Sequence, residues 1–166
     1  MDALQKVPVT MATTKAGASA GTTSTYSTAN TVQFAIKGKA YSKTAVTNGA
    51  TPTTDAATGL SFTAIAAGYG SVFVLGFDSG GNIKVAQGST EALDNSTTSG
   101  ATCKFIRAPQ FPPIPDTMCP FAYVTVLVGS AAAAWTFGTS NLTGPPASTG
   151  INFVDIQTLP DRVQVA

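Results

Sequence analysis

Apolar positions along this chain alternate with polar or small ones far more often than they recur at helical spacing. In residues 31–41 (TVQFAIKGKAY), Val32, Phe34 and Ile36 fall on one side of an extended backbone, the two-residue period of a half-buried strand. Lys37-Gly38-Lys39 then predicts a turn, and residues 40–46 a returning strand. Leu60, Phe62 and Ala64 alternate again within residues 60–66. Residues 71–77 (SVFVLGF) and 83–87 (IKVAQ) flank Asp78-Ser79-Gly80-Gly81-Asn82, which predicts a β-hairpin whose glycines supply positive φ.

Further along, residues 102–107 predict a strand with Cys103, Phe105 and Arg107 on one face. Residues 121–128 form the most hydrophobic segment, expected to be a central strand. Trp135, Thr136 and Phe137 predict a short strand or turn, and residues 151–158 (INFVDIQT) a last strand. Glu91 to Asn95 predicts one helical turn. Asn48-Gly49 and residues 52–58, 95–100 and 144–150 carry loop chemistry. Pro109, Pro112, Pro113 and Pro115 bar regular ladder pairing, so residues 108–116 should cross as a stiff extended segment. No stretch supports a long amphipathic helix. About eight short strands separated by turn signals define an all-β class, an antiparallel β-sandwich or jelly-roll-like barrel.

Residues 1–30 break this rhythm. They are crowded with Ala, Thr, Ser and Gly and hold few large apolar side chains, too few to offset the entropy of ordering alone. Two readings stand: an extended N-terminal arm that orders on a neighbouring protein through Leu4, Val7, Val9 and Tyr26, or a flexible tail. The expected division is an arm over 1–30 and a β domain over 31–166.

Composition changes the picture in three ways. Charged residues are 10% of the 166, with nine Lys+Arg against eight Asp+Glu, whereas typical soluble domains carry roughly 25%. So uncharged a surface favours a chain that hides area in an oligomer or assembly. The densest basic cluster is Lys37, Lys39 and Lys43, which is no concentrated positive face, so nucleic acid is not an expected partner. Histidine is absent, which removes the usual proton carrier near neutral pH and the usual base of a nucleophilic triad.

The remaining acid–base groups are Asp55, Asp78, Glu91, Asp94, Asp116, Asp155 and Asp161. None sits in a suggestive motif and most lie in turn-like contexts, where Asp serves local hydrogen bonding. Catalysis is therefore not expected. The loop at Asp78 superficially matches an oxygen-rich calcium loop but lacks the closing bidentate Glu, and two cysteines cannot close a zinc site. No metal or cofactor is expected. Cys103 and Cys119 are expected as free, buried thiols. Asn95-Ser96-Thr97 and Asn141-Leu142-Thr143 match the glycosylation acceptor pattern, for which chance is the better account in a chain holding 26 threonines. The first 21 residues have no continuous apolar stretch, so no signal peptide is expected. Residues 120–138 are uncharged, but Gly129 and Ser130 interrupt them and their first half is β-branched and aromatic, which reads as a buried strand rather than a membrane span.

The C-terminal half carries an ordered set of segments: Phe111-Pro112-Pro113-Ile114-Pro115-Asp116, Pro120-Phe121-Ala122-Tyr123-Val124, residues 135–142 (WTFGTSNL), residues 151–156 (INFVDI) and Leu159-Pro160-Asp161-Arg162. Over residues 105–162 this order resembles a module found in structural proteins of tailed-phage virions. The resemblance implies a capsid decoration (cement) or head-fibre protein at the capsid surface. It would be a homo-oligomer, with a trimer as the expected state, bound in many copies to the major capsid protein and bracing the shell. It also makes Phe105, Phe111, Tyr123, Trp135 and Phe137 core or oligomer positions, with core weighed above interface and Phe105, Phe111 and Trp135 kept as oligomer contacts. The alternative role is a tail-fibre or receptor-binding domain that recognises host glycans through Tyr69, Tyr41 and Trp135.

Overall fold

The computed structural model describes residues 9–94, 97–142 and 149–163. The protein is all-β: β1 (Met11–Ala12), β2 (Ala18–Ala20), β3 (Thr25–Thr28), β4 (Val32–Ile36), β5 (Lys39–Lys43), β6 (Val46–Ala50), β7 (Tyr69–Phe77), β8 (Ile83–Ala92), β9 (Cys119–Val128) and β10 (Thr149–Asp155). They form three antiparallel sheets, ordered β1-β4-β5, β2-β3-β6 and β10-β9-β7-β8.

The four-stranded sheet is the centre of the molecule because its two inner strands are apolar on both faces. From one face, Phe73, Leu75 and Phe77 of β7 and Val124, Val126 and Val128 of β9 meet Val32, Phe34 and Ile36 of β4 and Tyr26 of β3 in the main core. Phe77 stacks on Phe121 at 4.5 Å between ring centroids, and Phe137 lies 5.1 Å from Phe62 and 4.8 Å from Phe73. From the opposite face, Val72, Val74 and Tyr123 pack with Met118, Phe111, Ile114, Leu159 and Val163. The proline-rich crossing and the C-terminal tail thus roof the sheet on that side. Phe111 meets Tyr123 edge-on at 5.2 Å.

Turn chemistry fixes the connections. Lys37 and Gly38, at φ 49° and 78°, make the tight β4–β5 turn that two successive positive-φ residues allow. Between β7 and β8, Gly81 (φ 73°) donates its N–H to Asp78 O at 2.9 Å, and Asp78 N–H to Asn82 O at 3.0 Å. The predicted hairpin is present and longer than its apolar pattern, with Tyr69 paired to Ala92.

Several local expectations are corrected. Residues 102–107 are not a strand: only Phe105 bridges, to Leu93, and the segment is bound through Asp94 N–H to Lys104 O and Ile106 N–H to Ala92 O. Glu91 belongs to β8, because pairing with Gly70 overrides a weak helical signal. Residues 60–66 make two isolated bridges, Thr54 to Ser61 and Ile65 to Trp135, rather than a strand. Asn48-Gly49 lies inside β6, where Asn48 adopts φ 54° at a register irregularity against β3.

Of the segment expected to be an arm, Leu4 and Val7 lie outside the described residues. From Val9 onward the chain joins the body: β1 pairs with β4, β2 and β3 pair with each other, and β3 pairs with β6. Tyr26 is 3% exposed within the main core, so it does not lie on a separate arm.

Glycine matters most where the roof approaches the sheet. A methyl group on Gly88 would collide with Gln110 O and Val72 Cγ1, and Gln110 O is the acceptor for Ser89 N–H at 3.1 Å. Gly88→Ala should therefore cost about 2–3 kcal/mol through overpacking. Gly59→Ala, where the added carbon meets nothing within 4 Å and only φ 74° is strained, should cost about 1 kcal/mol. Urea denaturation of both variants checks this; equal losses would contradict close packing at Gly88.

Candidate functional site

Four of the acidic side chains considered for proton transfer, Asp55, Asp78, Asp94 and Asp155, accept backbone hydrogen bonds that hold the fold together. Asp55 is 7% exposed. It accepts hydrogen bonds from Ala57 N–H at 2.8 Å, Thr58 Oγ1 at 3.2 Å and Gln87 N–H at 3.4 Å, tying the 55–60 loop to β8. Asp155, at the end of β10, accepts Gly17 N–H and Ala18 N–H at 3.0 and 2.9 Å, clamping the N-terminal sheet to the central one. Asp94 accepts Lys104 N–H at 3.0 Å, and Glu91 accepts Ser89 Oγ–H at 2.9 Å. Asp116 makes an exposed ion pair with Lys37 at 3.1 Å. Among the described residues no three Cys, Asp or Glu side chains stand together as a metal site.

Asp78 caps its own hairpin. Partial desolvation raises its carboxyl pKa, but the Asn82 N–H, the Asn82 side-chain amide, the Gly80 N–H and the Lys84 ammonium together outweigh it and hold the group below its ordinary value of 3.8. The geometry matches: Gly80 N–H and Asn82 N–H each donate to Asp78 Oδ1 at 2.9 Å, and Lys84 Nζ is 3.8 Å from Oδ2. A hairpin cap therefore accounts for the residues that superficially match a calcium loop.

Both thiols are free and buried. Cys103 donates to Thr97 O at 3.1 Å. Burial pushes the Cys119 thiol up to about 11, so it is neutral and unreactive near pH 7.

The aromatic candidates divide. Trp135 is 5% exposed and its indole N–H donates to Asn141 O at 3.1 Å. It is an interior residue, unavailable for an oligomer contact or for stacking on a sugar. Phe105 and Phe111 are half-buried, the first against Gly70 and the second against Tyr123. Tyr69 is 44% exposed, while Tyr41 stacks on Phe34 at 5.7 Å with the Lys39 ammonium over its ring.

A concavity opens beside the central sheet. A mostly apolar groove of about 650 Å³ runs over β9 and β10, floored by Thr125, Leu127, Gly150 and Asn152 and walled by Cys103 and Phe105. It exists because the 100–105 segment folds over the sheet, with Gly100 O close above Gly150. The Asp55-Ala56-Ala57-Thr58 turn carries a readable sequence signal, since Asp commonly accepts from the backbone two residues on. Asp155 carries none, because its backbone donors are 138 and 137 positions away in the chain, and neither does the groove, whose walls and floor come from separate segments.

No protein-family model, curated protein or solved structure gives a significant match to this chain.

The Asp78 cap gives a pH-dependent prediction. A carboxyl depressed in the folded state contributes stability that is present above its unfolded value and lost as pH falls through the folded one. The loss of melting temperature in Asp78→Asn should thus be full at pH 7 and shrink below about pH 4. A difference that stays constant from neutral to strongly acid pH would contradict the charged cap.

Proposed function

We propose that this chain is a structural protein of a tailed-phage virion that decorates and stabilises the head shell by binding in many copies to major capsid subunits. The observation that carries the reading is the deployment of the acidic residues. Asp55, Asp78, Asp94 and Asp155 accept bonds from loop and strand backbone. The charged groups brace a small rigid block, and the rest of its surface is largely uncharged. Such a surface is suited to adhesion rather than turnover. The order of proline-flanked and aromatic strands over residues 105–162 supports the viral setting.

The physical logic is avidity. A low-charge surface loses little solvation on docking, and many modest contacts repeated over a shell bind together far more tightly than one alone. Residues 1–8, with Leu4 and Val7, are the proposed tether to neighbouring capsid subunits. They continue from Val9, which is 51% exposed and whose C=O accepts Gly38 N–H at 3.0 Å. The rival role in host-glycan recognition loses one of its three candidate aromatics, since Trp135 is interior.

Removing residues 1–8 should leave the melting temperature unchanged and weaken co-sedimentation with shells lacking the native protein by at least roughly ten-fold, as loss of one linked contact does. Deleting 1–30 would be a poor test, because it removes β1, β2, β3 and the buried Tyr26. Undiminished shell occupancy by the 9–166 chain would contradict the tether.

A further inference from the structure

The central sheet has two edges, and they are treated in opposite ways. The outer edge of β8 is anchored at four places between Val85 and Ala92. Val85 O accepts Ala56 N–H, Gln87 N–H goes to Asp55, Ser89 N–H to Gln110 O, and Ala92 O accepts Ile106 N–H. The outer edge of β10 is not. Ile156 N–H donates to Phe121 O of β9 at 2.9 Å, and the β9–β10 register runs without a shift. Even-numbered residues therefore turn their backbone groups towards β9 and odd-numbered ones turn outward. Gln157 O, outward by this rule, is taken by Ala12 N–H at 2.9 Å. Ile151 and Phe153 have no such partner among the described residues, leaving two N–H and two C=O groups in a row on an extended strand.

Natural sheets blunt free edges with lysine, proline, bulges or brevity. Elsewhere in this protein such devices are present: β5 begins and ends with Lys39 and Lys43, β6 is kinked at Asn48, and β1 and β2 have two and three residues. In contrast, β10 has seven residues, no lysine, no proline and no bulge. Its one charge, Asp155, is engaged by Gly17 and Ala18. Both its faces are apolar and half-covered, with Ile151 and Phe153 towards the main core and Val154 towards the roof.

We infer that the β10 edge is a self-association surface, on which a second copy of this chain adds its own β10 in antiparallel register across a two-fold axis. Alternating unpaired donors and acceptors specify an extended polypeptide as the occupant. The strand is complementary to itself, because a two-fold through residue 152 sets apolar Ile151 opposite Phe153 of the mate and brings no like charges together. The low-charge composition points the same way. Pairing would join the two central sheets into one of eight strands. This goes beyond the proposed shell-binding role and stands or falls separately from it.

Asn152 tests the contact. It is exposed, its side chain lies on the groove face, and the axis places it directly opposite its mate, about 5 Å away between Cβ atoms. In low-salt sedimentation equilibrium of the full chain, the native protein should form dimers. Asn152→Lys and Asn152→Glu should each dimerise about five-fold more weakly, with unchanged melting temperatures. An equimolar mixture of the two should recover association as a heterodimer. A native chain that is monomeric at about 1 mM, where even a millimolar Kd populates dimers, would overturn the inference. So would a dimer or trimer whose strength neither substitution alters, or a mixture no tighter than its components.

Discussion

Strands β7 and β9 lie side by side with protein packed on both faces, and that double burial sets the terms for the rest of the molecule. A strand covered on both sides cannot alternate apolar with polar residues, so β7 and β9 are nearly continuous apolar runs. Covering two faces takes two sets of elements. The N-terminal strands supply one, and the proline-rich crossing with the C-terminal tail supplies the other. Glycines at 88 and 150 admit the 110 and 100 backbones to contact distance. The proline-rich crossing is suited to this task, because its backbone is stiff and needs few ladder partners.

Around that centre the loops are long, and loops need anchors for their backbone donors. Carboxylates and threonine hydroxyls meet the need. Asp55, Asp78, Asp94 and Asp155 accept backbone N–H groups, and Thr14 and Thr28 accept from Gln33 and Val46. Among the described residues, no buried side-chain nitrogen or oxygen is left without a partner. The abundance of threonine and the shortage of charge thus follow from one construction, in which small polar groups stitch extended segments together and the outer surface stays nearly neutral.

The sequence was legible where local pattern and tertiary role agreed. The apolar runs of β7 and β9 and the Asp-Ser-Gly-Gly-Asn hairpin are both readable, because burial on the two faces and turn stereochemistry each leave a signature within a few residues. Residues 102–107 misled because apolar alternation there reflects Cys103 packing inward and Phe105 leaning over Gly70, not membership of a sheet. Residues 9–30 misled in the other direction. Their side chains are small, yet a sheet that finds partners in β4 and β6 can order a segment that could not order itself. Candidate chemistry was harder still, since the Asp155 clamp and the groove beside β10 arise from contacts between distant parts of the chain.

The β10 edge, open among the described residues, and the low charge of the chain are what support the reading of an adhesive protein, whose proposed setting is the head of a tailed-phage particle. A density map of purified particles of the proposed parent phage is the most direct measurement. The account predicts an all-β body repeated over the capsid lattice, bridging major capsid subunits. Density for the chain confined to the tail, or missing from intact particles, would contradict it.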